Sequence, residues 1–280
     1  MIIPRFYIDD IIRAAIKEDI NYVDEATAFV ISEESRSKAK FVAKAEGVLC
    51  GIEVALRVFQ MLDDSFSAEV FKKDGDRIAP GDLIATFEGK TRELLYGERT
   101  ALNLLQHMSG VATQTRQAAD LVAGTGTSIA DTRKTLPGLR ALQKYAVVCG
   151  GGKNHRFNLS DAAMLKDNHI DAGGGILKTV AALREKIGHT VKIEVETRDL
   201  EEVKQAVEAG ADIIMLDNMT VEQMKQAVAY IDGRALTEAS GNITLDNIRE
   251  KAQSGVDIIS MGSLTHSVKA MDISMRIEKK

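Results

Sequence analysis

The stretch VKIEVET (191–197), followed by the amphipathic pattern LEEVKQAVEAG (200–210), decides the fold. It is an apolar, strand-like run that leads into a helix, and the same order recurs along the second half of the chain. The further strand-like runs are TSIADTRKT (127–135), DAAMLKDNH (161–169), ADIIMLDN (211–218), RALTEASGN (234–242) and VDIISMGS (256–263). Strands that alternate with helices form a parallel sheet, and this many units indicate a (β/α) barrel.

The strand-like run 191–197 carries charge on one face only. By the two-residue period of a strand, its valines and isoleucine share one face, and Lys192, Glu194 and Glu196 share the other. Charges directed into a barrel are costly unless they are paired with opposite charges or take part in a functional site. Polar or charged groups also end three other strand-like runs: Lys166, Asp217, and Glu238 with Ser240. Because the active sites of such barrels lie at the carboxyl ends of the strands, this pattern predicts a site there.

Two short turns follow the last two strand-like runs and precede helical patterns. They are Ser240-Gly241-Asn242 and Met261-Gly262-Ser263, and His266 follows the second turn closely. Backbone N–H groups at such turns bind phosphate well, and barrels often hold a phosphate after their last two strands. The turns therefore favour a phosphorylated ligand, which His266 is placed to reach.

A dense group of basic residues lies in the middle of the chain: Arg133, Lys134, Lys153, His155, Arg156 and Lys166. Neighbouring side chains on a strand point in opposite directions. The pairs Arg133-Lys134 and His155-Arg156 can therefore converge on one ligand only if they lie in loops. Arginine offers a planar fork for carboxylates and lysine a compact charge for phosphates. This group predicts a ligand that bears several negative charges.

The first hundred residues have a mixed α+β pattern. Helical spacing and strand-like alternation follow each other over 7–19, 37–49, 52–62 and 66–89. A long helical run, 91–124, comes next, and its Ser109-Gly110 pair is a point where the helix can bend or split. We expect the domain boundary inside this run.

Composition excludes several classes of protein. The net charge of −5 argues against general binding of DNA or RNA. No window approaches the roughly 20 apolar residues of a membrane span, and Asp9 and Asp10 interrupt the position where a signal peptide needs an apolar stretch. Cys50 and Cys149 form no CxxC pair, which argues against zinc and fits a reducing compartment. We therefore expect a cytoplasmic protein with no nucleic-acid or membrane partner.

A series of short motifs adds a family resemblance. In chain order they are GERTALN (97–103), DTRKT (131–135), NHR (154–156), LKDNH (165–169), EVE (194–196), LDN (216–218), EASG (238–241) and SMG (260–262). Together they resemble quinolinate phosphoribosyltransferases over nearly the full chain. Two positions depart from the family pattern, because Asn158 and Asn242 stand where we expect glycine.

The resemblance implies an architecture and an assembly. An N-terminal α+β sandwich domain over 1–106 is rejoined by the C-terminal tail 267–280, and an open, TIM-like (β/α) barrel covers 107–266. It further implies a homodimer in which Arg99 enters the partner's active site, and it leaves open whether such dimers assemble into a hexamer.

The resemblance also implies a pentosyltransferase reaction. Quinolinate and phosphoribosyl pyrophosphate would give nicotinate mononucleotide, pyrophosphate and CO₂ in NAD biosynthesis. Mg²⁺ would be carried mainly by the pyrophosphate near Glu196 and Asp217, without a metal site built by the protein alone.

Residue by residue, the resemblance assigns the following roles. Arg133, His155, Arg156 and Lys166, with Arg99 of a partner chain, would hold the quinolinate carboxylates. The residues that act in catalysis would be Lys134, Lys166, Glu196 and Asp217. Thr132 would line the same site, and Ser240, Gly241, Asn242, Met261, Gly262, Ser263 and His266 would surround the 5′-phosphate.

Three other readings stay open on the residues alone. A Schiff-base aldolase would use Lys166 or Lys192, but it would not need so many basic groups. A related enzyme would act on a different base. A non-catalytic protein that binds phosphorylated metabolites would use the basic group and the turns, but would not need Glu196 together with Asp217.

Overall fold

The chain divides into two units, and the computed structural model describes residues 3–278. The first unit comprises Met1–Arg116, Leu136–Gly150 and Ser267–Lys280, and the second comprises Gln117–Thr135 and Gly151–His266. The domain limits expected from the sequence differ from this division, since the first unit extends to residue 116 and also includes residues 136–150, although the C-terminal segment from residue 267 belongs to it as expected.

The first unit contains a four-stranded antiparallel sheet. Its elements are α1 (Arg5–Asp19), α2 (Glu25–Val30), β1 (Arg36–Ala43), β2 (Gly47–Val48), α3 (Ile52–Leu62), β3 (Ser67–Val70), β4 (Arg77–Ile78), β5 (Leu83–Lys90), most of α4 (Thr91–Leu121), α5 (Arg140–Cys149) and β12 (Ile273–Ile277). The sheet has the order β12-β1-β5-β3, and β2 pairs with β4 separately. The C-terminal strand β12 is antiparallel to β1.

Aromatic packing forms the core beside this sheet. The ring centroids of Phe41 and Phe87 lie 4.8 Å apart, and those of Phe59 and Phe87 lie 5.2 Å apart. Phe41 and Phe59 are fully buried. Because Phe59 belongs to α3 and the other two belong to strands, these contacts fix α3 on the sheet.

The long helix α4 is continuous through Ser109-Gly110, where the sequence suggested a bend or a split. Gly110 is required for another reason. A Cβ atom there would overlap the Lys269 carbonyl group and the Val268 side chain. The glycine therefore lets the C-terminal segment run directly against the helix.

The second unit is built on six parallel strands. Its elements are β6 (Ser128–Ala130), β7 (Ala163–Leu165), α6 (Asp167–Gly173), α7 (Ile176–Arg184), β8 (Ile193–Thr197), α8 (Leu200–Glu208), β9 (Ile213–Asp217), α9 (Val221–Ile231), β10 (Leu236–Ser240), α10 (Ile248–Ala252), β11 (Ile258–Ser260) and α11 (Ser263–His266). The strand order is β6-β11-β10-β9-β8-β7. This is the open, barrel-like α/β arrangement that the sequence predicts, beside a separate antiparallel sheet.

The register of the parallel strands brings polar ends together. Asp217 of β9 pairs with Ser240 of β10, and Glu196 of β8 pairs with Met215 of β9. Ile193 and Val195 are fully buried, whereas Lys192 is exposed and precedes the first residue of β8. The charged face expected for residues 191–197 thus contains Glu194 and Glu196 within the strand.

No helix within residues 3–278 has both the length and the apolar character that crossing a membrane requires.

Gly110→Ala should lower the free energy of unfolding by about 1–3 kcal/mol, because overpacking against a backbone carbonyl outweighs the helix propensity that alanine adds. Urea denaturation measures the change. Gly188→Ala is the matched control, since no atom lies within 4 Å of the added Cβ there. A Gly110→Ala variant as stable as the wild type would show that the tail moves away at little cost.

Candidate active site

A cavity of about 570 Å³ lies in the second unit, at the carboxyl ends of its strands. Most of the residues that the sequence assigns to the site line it. These are Thr132, Arg133, Lys134, His155, Arg156, Lys166, Glu196, Asp217, Ser240, Gly241 and Asn242. The cavity wall also includes Glu238, which the two-residue period put on the same strand face as Ser240, and four residues that the sequence did not assign to it: Met164, Met215, Asn218 and Ser260.

Two loops bring the basic side chains together. Residues 131–139 follow β6 as a loop, and residues 154–156 are also without helix or strand structure. Adjacent side chains can therefore reach the same cavity, as the sequence required. The guanidinium groups of Arg133 and Arg156 are close enough to affect each other, since burial and then the charge of Arg133 lower the pKa of Arg156. Two cations held this close favour a ligand with more than one negative charge.

A buried carboxylate holds the second of these loops. Asp131 is fully buried, and it accepts hydrogen bonds from the Asn154 side-chain amide at 2.7 Å and from the His155 backbone N–H at 2.8 Å. The Arg156 guanidinium donates to the Ala162 carbonyl oxygen at 3.0 Å. These bonds position the Arg156 guanidinium before any ligand arrives.

Glu194, Glu238 and His155 form a cluster at the wall of the cavity, and its two glutamates are buried. Glu194 and Glu238 are 1% and 2% exposed. The Nε2 atom of His155 lies 3.1 Å from a Glu194 carboxylate oxygen and 3.5 Å from one of Glu238. Nδ1 of His155 accepts the Arg156 backbone N–H at 2.7 Å, so the hydrogen-bond pattern assigns the ring proton to Nε2, which faces the acids.

Burial and the neighbouring Glu194 carboxylate raise the pKa of Glu238 to about 7, against the opposing effect of His155 and a hydrogen bond with Ser260. Two carboxylates this close are difficult to ionise together, because each penalises the charge of the other. Glu238 is therefore protonated over part of the neutral pH range, and the cluster carries less negative charge than its composition suggests.

Lys166 and Glu196 form an ion pair at the mouth of the cavity. The Lys166 ammonium lies 2.6 Å from a Glu196 carboxylate oxygen, with the side chains 47% and 16% exposed. Such a solvent-accessible pair contributes at most about 1 kcal/mol. A ligand can therefore separate it at little cost and take up either partner.

The turn after β10 depends on left-handed backbone. Gly241 has φ 90°, and a Cβ there would overlap the side-chain amide of Asn218. Asn242 has φ 51°, and its amide donates to the Asn218 Oδ1 atom at 2.9 Å. Asparagine adopts this region more readily than most residues. Asn242 thus takes the backbone conformation that the expected glycine would supply.

The second turn lies behind Lys134 and is not part of the cavity wall. A Cβ on Gly262 would lie 3.0 Å from the Lys134 side chain and 3.1 Å from the His266 ring. The Thr265 hydroxyl donates to the Lys134 carbonyl oxygen at 2.7 Å. The second turn thus contacts Lys134 through Gly262 and Thr265, whereas the turn at 240–242 lines the cavity directly.

Comparison with known proteins identifies the family. The model "Quinolinate phosphoribosyl transferase, C-terminal domain" matches residues 111–276, and the corresponding N-terminal domain model matches residues 24–109. The chain belongs to the quinolinate phosphoribosyltransferase family. It is 45% identical over 260 residues to the probable nicotinate-nucleotide pyrophosphorylase [carboxylating] of Bacillus subtilis, covering 93% of this chain and 90% of that protein.

Other members of the family are similar over almost the whole chain. The chloroplastic nicotinate-nucleotide pyrophosphorylase [carboxylating] of Arabidopsis thaliana is 41% identical, over 98% of this chain and 84% of that protein. The crystal structure of NadC from Streptococcus pyogenes is 44% identical and superposes with a TM-score of 0.95, covering 99% of this chain and 98% of that chain. The family fold is therefore shared throughout both units.

Arg99 is the one residue of the expected site that lies in the first unit. It is on α4 and lines a different cavity, of about 740 Å³, together with Tyr7 and Asp10 of α1. The contact with a partner chain that the family resemblance implies for it stays a prediction.

The residues missed at the sequence level had a usable signal. Met164 and Met215 are two positions before Lys166 and Asp217, so the two-residue period already put them on the same strand faces. The same period put Glu194 on the face of Glu196. Sequence reasoning did not predict that Glu194 and Glu238, which lie on strands separated by β9, meet at His155.

Glu238→Gln should make stability less dependent on pH. In the folded chain Glu238 keeps its proton up to pH about 7, whereas an unshifted glutamate ionises near 4.5. Its contribution to stability is fully present below pH 4.5 and is lost as the pH rises through about 7. Glutamine cannot ionise, so the fall in the free energy of unfolding across this window should shrink by up to a few kcal/mol.

Urea denaturation of both proteins on either side of the window measures this difference. Glu222→Gln is the control, because Glu222 is exposed on α9. A constant offset between the Glu238 variant and the wild type at all pH values would contradict the raised pKa.

Proposed function

We propose that this chain transfers the phosphoribosyl group of phosphoribosyl pyrophosphate to quinolinate and removes one carboxylate, in de novo NAD biosynthesis. The products are nicotinate mononucleotide, pyrophosphate and CO₂. The observation that carries the proposal is the single cavity in which Arg133 and Arg156 lie with Glu196, Asp217 and a left-handed turn suited to phosphate.

Quinolinate is a dianion, and the paired guanidinium groups of Arg133 and Arg156 suit its two carboxylates. Lys166 gives a further cation when a carboxylate displaces Glu196 from it. The family resemblance also assigns His155 to the carboxylates. In this structure both ring nitrogens of His155 already have partners within the protein. We therefore propose that His155 positions the loop of Arg156 and the buried glutamates.

The acidic residues suit the other substrate. As the pyridine nitrogen attacks the anomeric carbon, the bond to pyrophosphate breaks and positive charge grows on the ribose. Glu196 and Asp217, at the ends of adjacent strands, are placed to stabilise that charge or to hold the ribose hydroxyls. Holding both substrates in one cavity also removes most of the entropic barrier to their reaction.

The 5′-phosphate of the ribose suits the turn of Ser240, Gly241 and Asn242, whose backbone N–H groups precede a helix. Lys134 lies between this side of the cavity and the second turn, so its ammonium group is available to the phosphates. We assign the second turn the positioning of Lys134 through Gly262 and Thr265. The contact of Met261, Ser263 and His266 with the 5′-phosphate stays a prediction.

Mg²⁺ fits the oxygen donors present here, since Glu196 and Asp217 both line the cavity and magnesium prefers carboxylate and phosphate oxygens. Bound mainly to the pyrophosphate, it would neutralise the charge of the leaving group. We propose it as the cofactor.

Decarboxylation follows from the charge of the adduct. The ring nitrogen becomes positive once it carries the ribose, so the electron pair left by CO₂ at the adjacent carbon is stabilised. That carbon then takes a proton, and no organic cofactor is needed.

We further propose a cytoplasmic homodimer in which Arg99 of each chain enters the active site of its partner. Sedimentation of the purified chain as a monomer would exclude the dimer.

The first experiment follows CO₂ and nicotinate mononucleotide from quinolinate, phosphoribosyl pyrophosphate and Mg²⁺, with nicotinate in a parallel reaction. We expect turnover with quinolinate and not with nicotinate, and no turnover of quinolinate once a chelator removes the metal. Turnover of nicotinate but not of quinolinate would show that the chain is a related enzyme that acts on a different base. A folded protein that is inactive with both bases would favour the alternative of a non-catalytic protein that binds phosphorylated metabolites.

Two variants test the assignment of roles. Arg133→Ala should raise the KM for quinolinate about tenfold or more, because a charged hydrogen bond is worth about 1.5–3 kcal/mol. Glu196→Gln should mainly lower kcat, by about 10²-fold, because it removes stabilisation needed only in the transition state. Arg133→Lys is the control that keeps the charge without the planar fork. Unchanged kinetics in both variants would refute these roles.

A further inference from the structure

The first unit contains a second group of reactive side chains, built on two Cys-Gly pairs. Cys50 precedes α3, and Cys149 ends α5. A Cβ on Gly51 would lie 2.6 Å from a methionine sulfur of α4, and one on Gly150 would lie 2.5 Å from a carbonyl oxygen of the same helix. Glycine is therefore required at both positions, and each cysteine is held on a backbone segment that contacts α4.

The fold places the two thiols side by side. The sulfur atoms of Cys50 and Cys149 and a carboxylate oxygen of Asp74 all lie within 4.8 Å of one another. Cys50 is fully buried, and Cys149 is half-buried beside the exposed Val148. Ser109 fixes the backbone of Cys50, because its hydroxyl group accepts the Cys50 N–H at 3.0 Å and donates to the Cys50 carbonyl at 3.1 Å.

Both carboxylate oxygens of Asp74 already accept hydrogen bonds, which argues against a metal site here. One carboxylate oxygen accepts the backbone N–H groups of Gly51 and Ile52, at 2.9 and 3.0 Å, at the start of α3. The other accepts the Tyr145 hydroxyl at 2.9 Å. Structural zinc sites have four protein ligands. Since the carboxylate serves as a helix cap, the two sulfurs alone remain, and they are too few.

The two thiols differ in acidity. The hydrogen bond from the Cys50 thiol lowers the pKa of Cys149, against the opposing effect of burial. Burial raises the pKa of Cys50 well above its usual value. Cys149 is therefore the better nucleophile and also the more accessible thiol, whereas Cys50 lies beside it as a protonated thiol.

We infer that Cys149 is a site of oxidation by hydroperoxides and that Cys50 resolves the product to an intramolecular disulfide. In the first step the Cys149 thiolate attacks the peroxide, the O–O bond breaks, and a sulfenic acid forms while the other oxygen leaves as an alcohol or as water. In the second step the Cys50 thiol attacks the sulfenic sulfur, and water leaves. The peroxide is thereby reduced by two electrons, and the thiol pair is oxidised by the same two.

The disulfide would join the start of α3 to the end of α5. From Cys149 the chain continues directly through Gly150 into the loop that carries His155 and Arg156. None of the residues of this group lines the cavity of the second unit, and the inference does not depend on the reaction proposed there.

The test uses the full chain, reduced and then freed of reductant, with hydrogen peroxide as the oxidant, in parallel reactions with and without EDTA. We expect the intact mass to fall by the mass of two hydrogen atoms and a peptide map without reductant to join Cys50 to Cys149. Cys50→Ala should stop at a sulfenic acid on Cys149, which dimedone captures. Cys149→Ala should leave Cys50 unmodified over the same time.

Cys50→Ala, compared with Cys50→Ser, also tests the acidity of Cys149, because it removes the thiol that donates a hydrogen bond to Cys149. It should slow alkylation of Cys149 by iodoacetamide at neutral pH. Circular dichroism confirms that each variant is folded.

Three results would overturn the inference. The first is a folded wild-type protein whose cysteines stay reduced at a peroxide concentration that oxidises free glutathione in a parallel tube. The second is capture of the sulfenic acid on Cys50 in place of Cys149. The third is a thiol pair that reacts only after EDTA removes co-purified zinc.

Discussion

The register of the parallel strands is the constraint on which the second unit depends. Asp217 pairs with Ser240 across β9 and β10, and Glu196 lies at the corresponding end of β8. Since the side chains of a strand alternate between faces, a shift of one residue would direct these groups to the helices. The apolar residues that alternate with them, including Ile193 and Val195, are fully buried and hold the register.

Charge compensation is the second constraint. The cavity gathers cations for an anionic ligand, yet Glu194, Glu238 and Asp131 are buried beside them. Buried charges are costly unless they are paired. Here Asp131 receives two hydrogen bonds, Glu194 contacts His155, and Glu238 carries its proton up to about pH 7. The acids thus hold the basic loops in place without cancelling all the positive charge that the ligand needs.

In the first unit α4 has the corresponding organising role. Glycines at 51, 110 and 150 let three distant segments of the chain contact this helix, because a Cβ at any of these positions would overlap a neighbouring atom. Contact this close leaves no room for a side chain at the three positions. It explains how two cysteines far apart in the sequence come to lie next to each other in the fold.

The sequence alone determined the alternation of strands and helices, the shared strand face of Glu194 and Glu196, the loop positions of the basic pairs and the glycine turns after β10 and β11. These features are local, since periods of two and 3.6 residues and glycine turns can be read from neighbouring residues. Only the tertiary structure decided the meeting of Glu194, Glu238 and His155, the position of the second turn behind Lys134, the continuity of α4 at Gly110 and the approach of Cys50 to Cys149. Each of these depends on contacts between residues distant in the chain, and no local period encodes such distances.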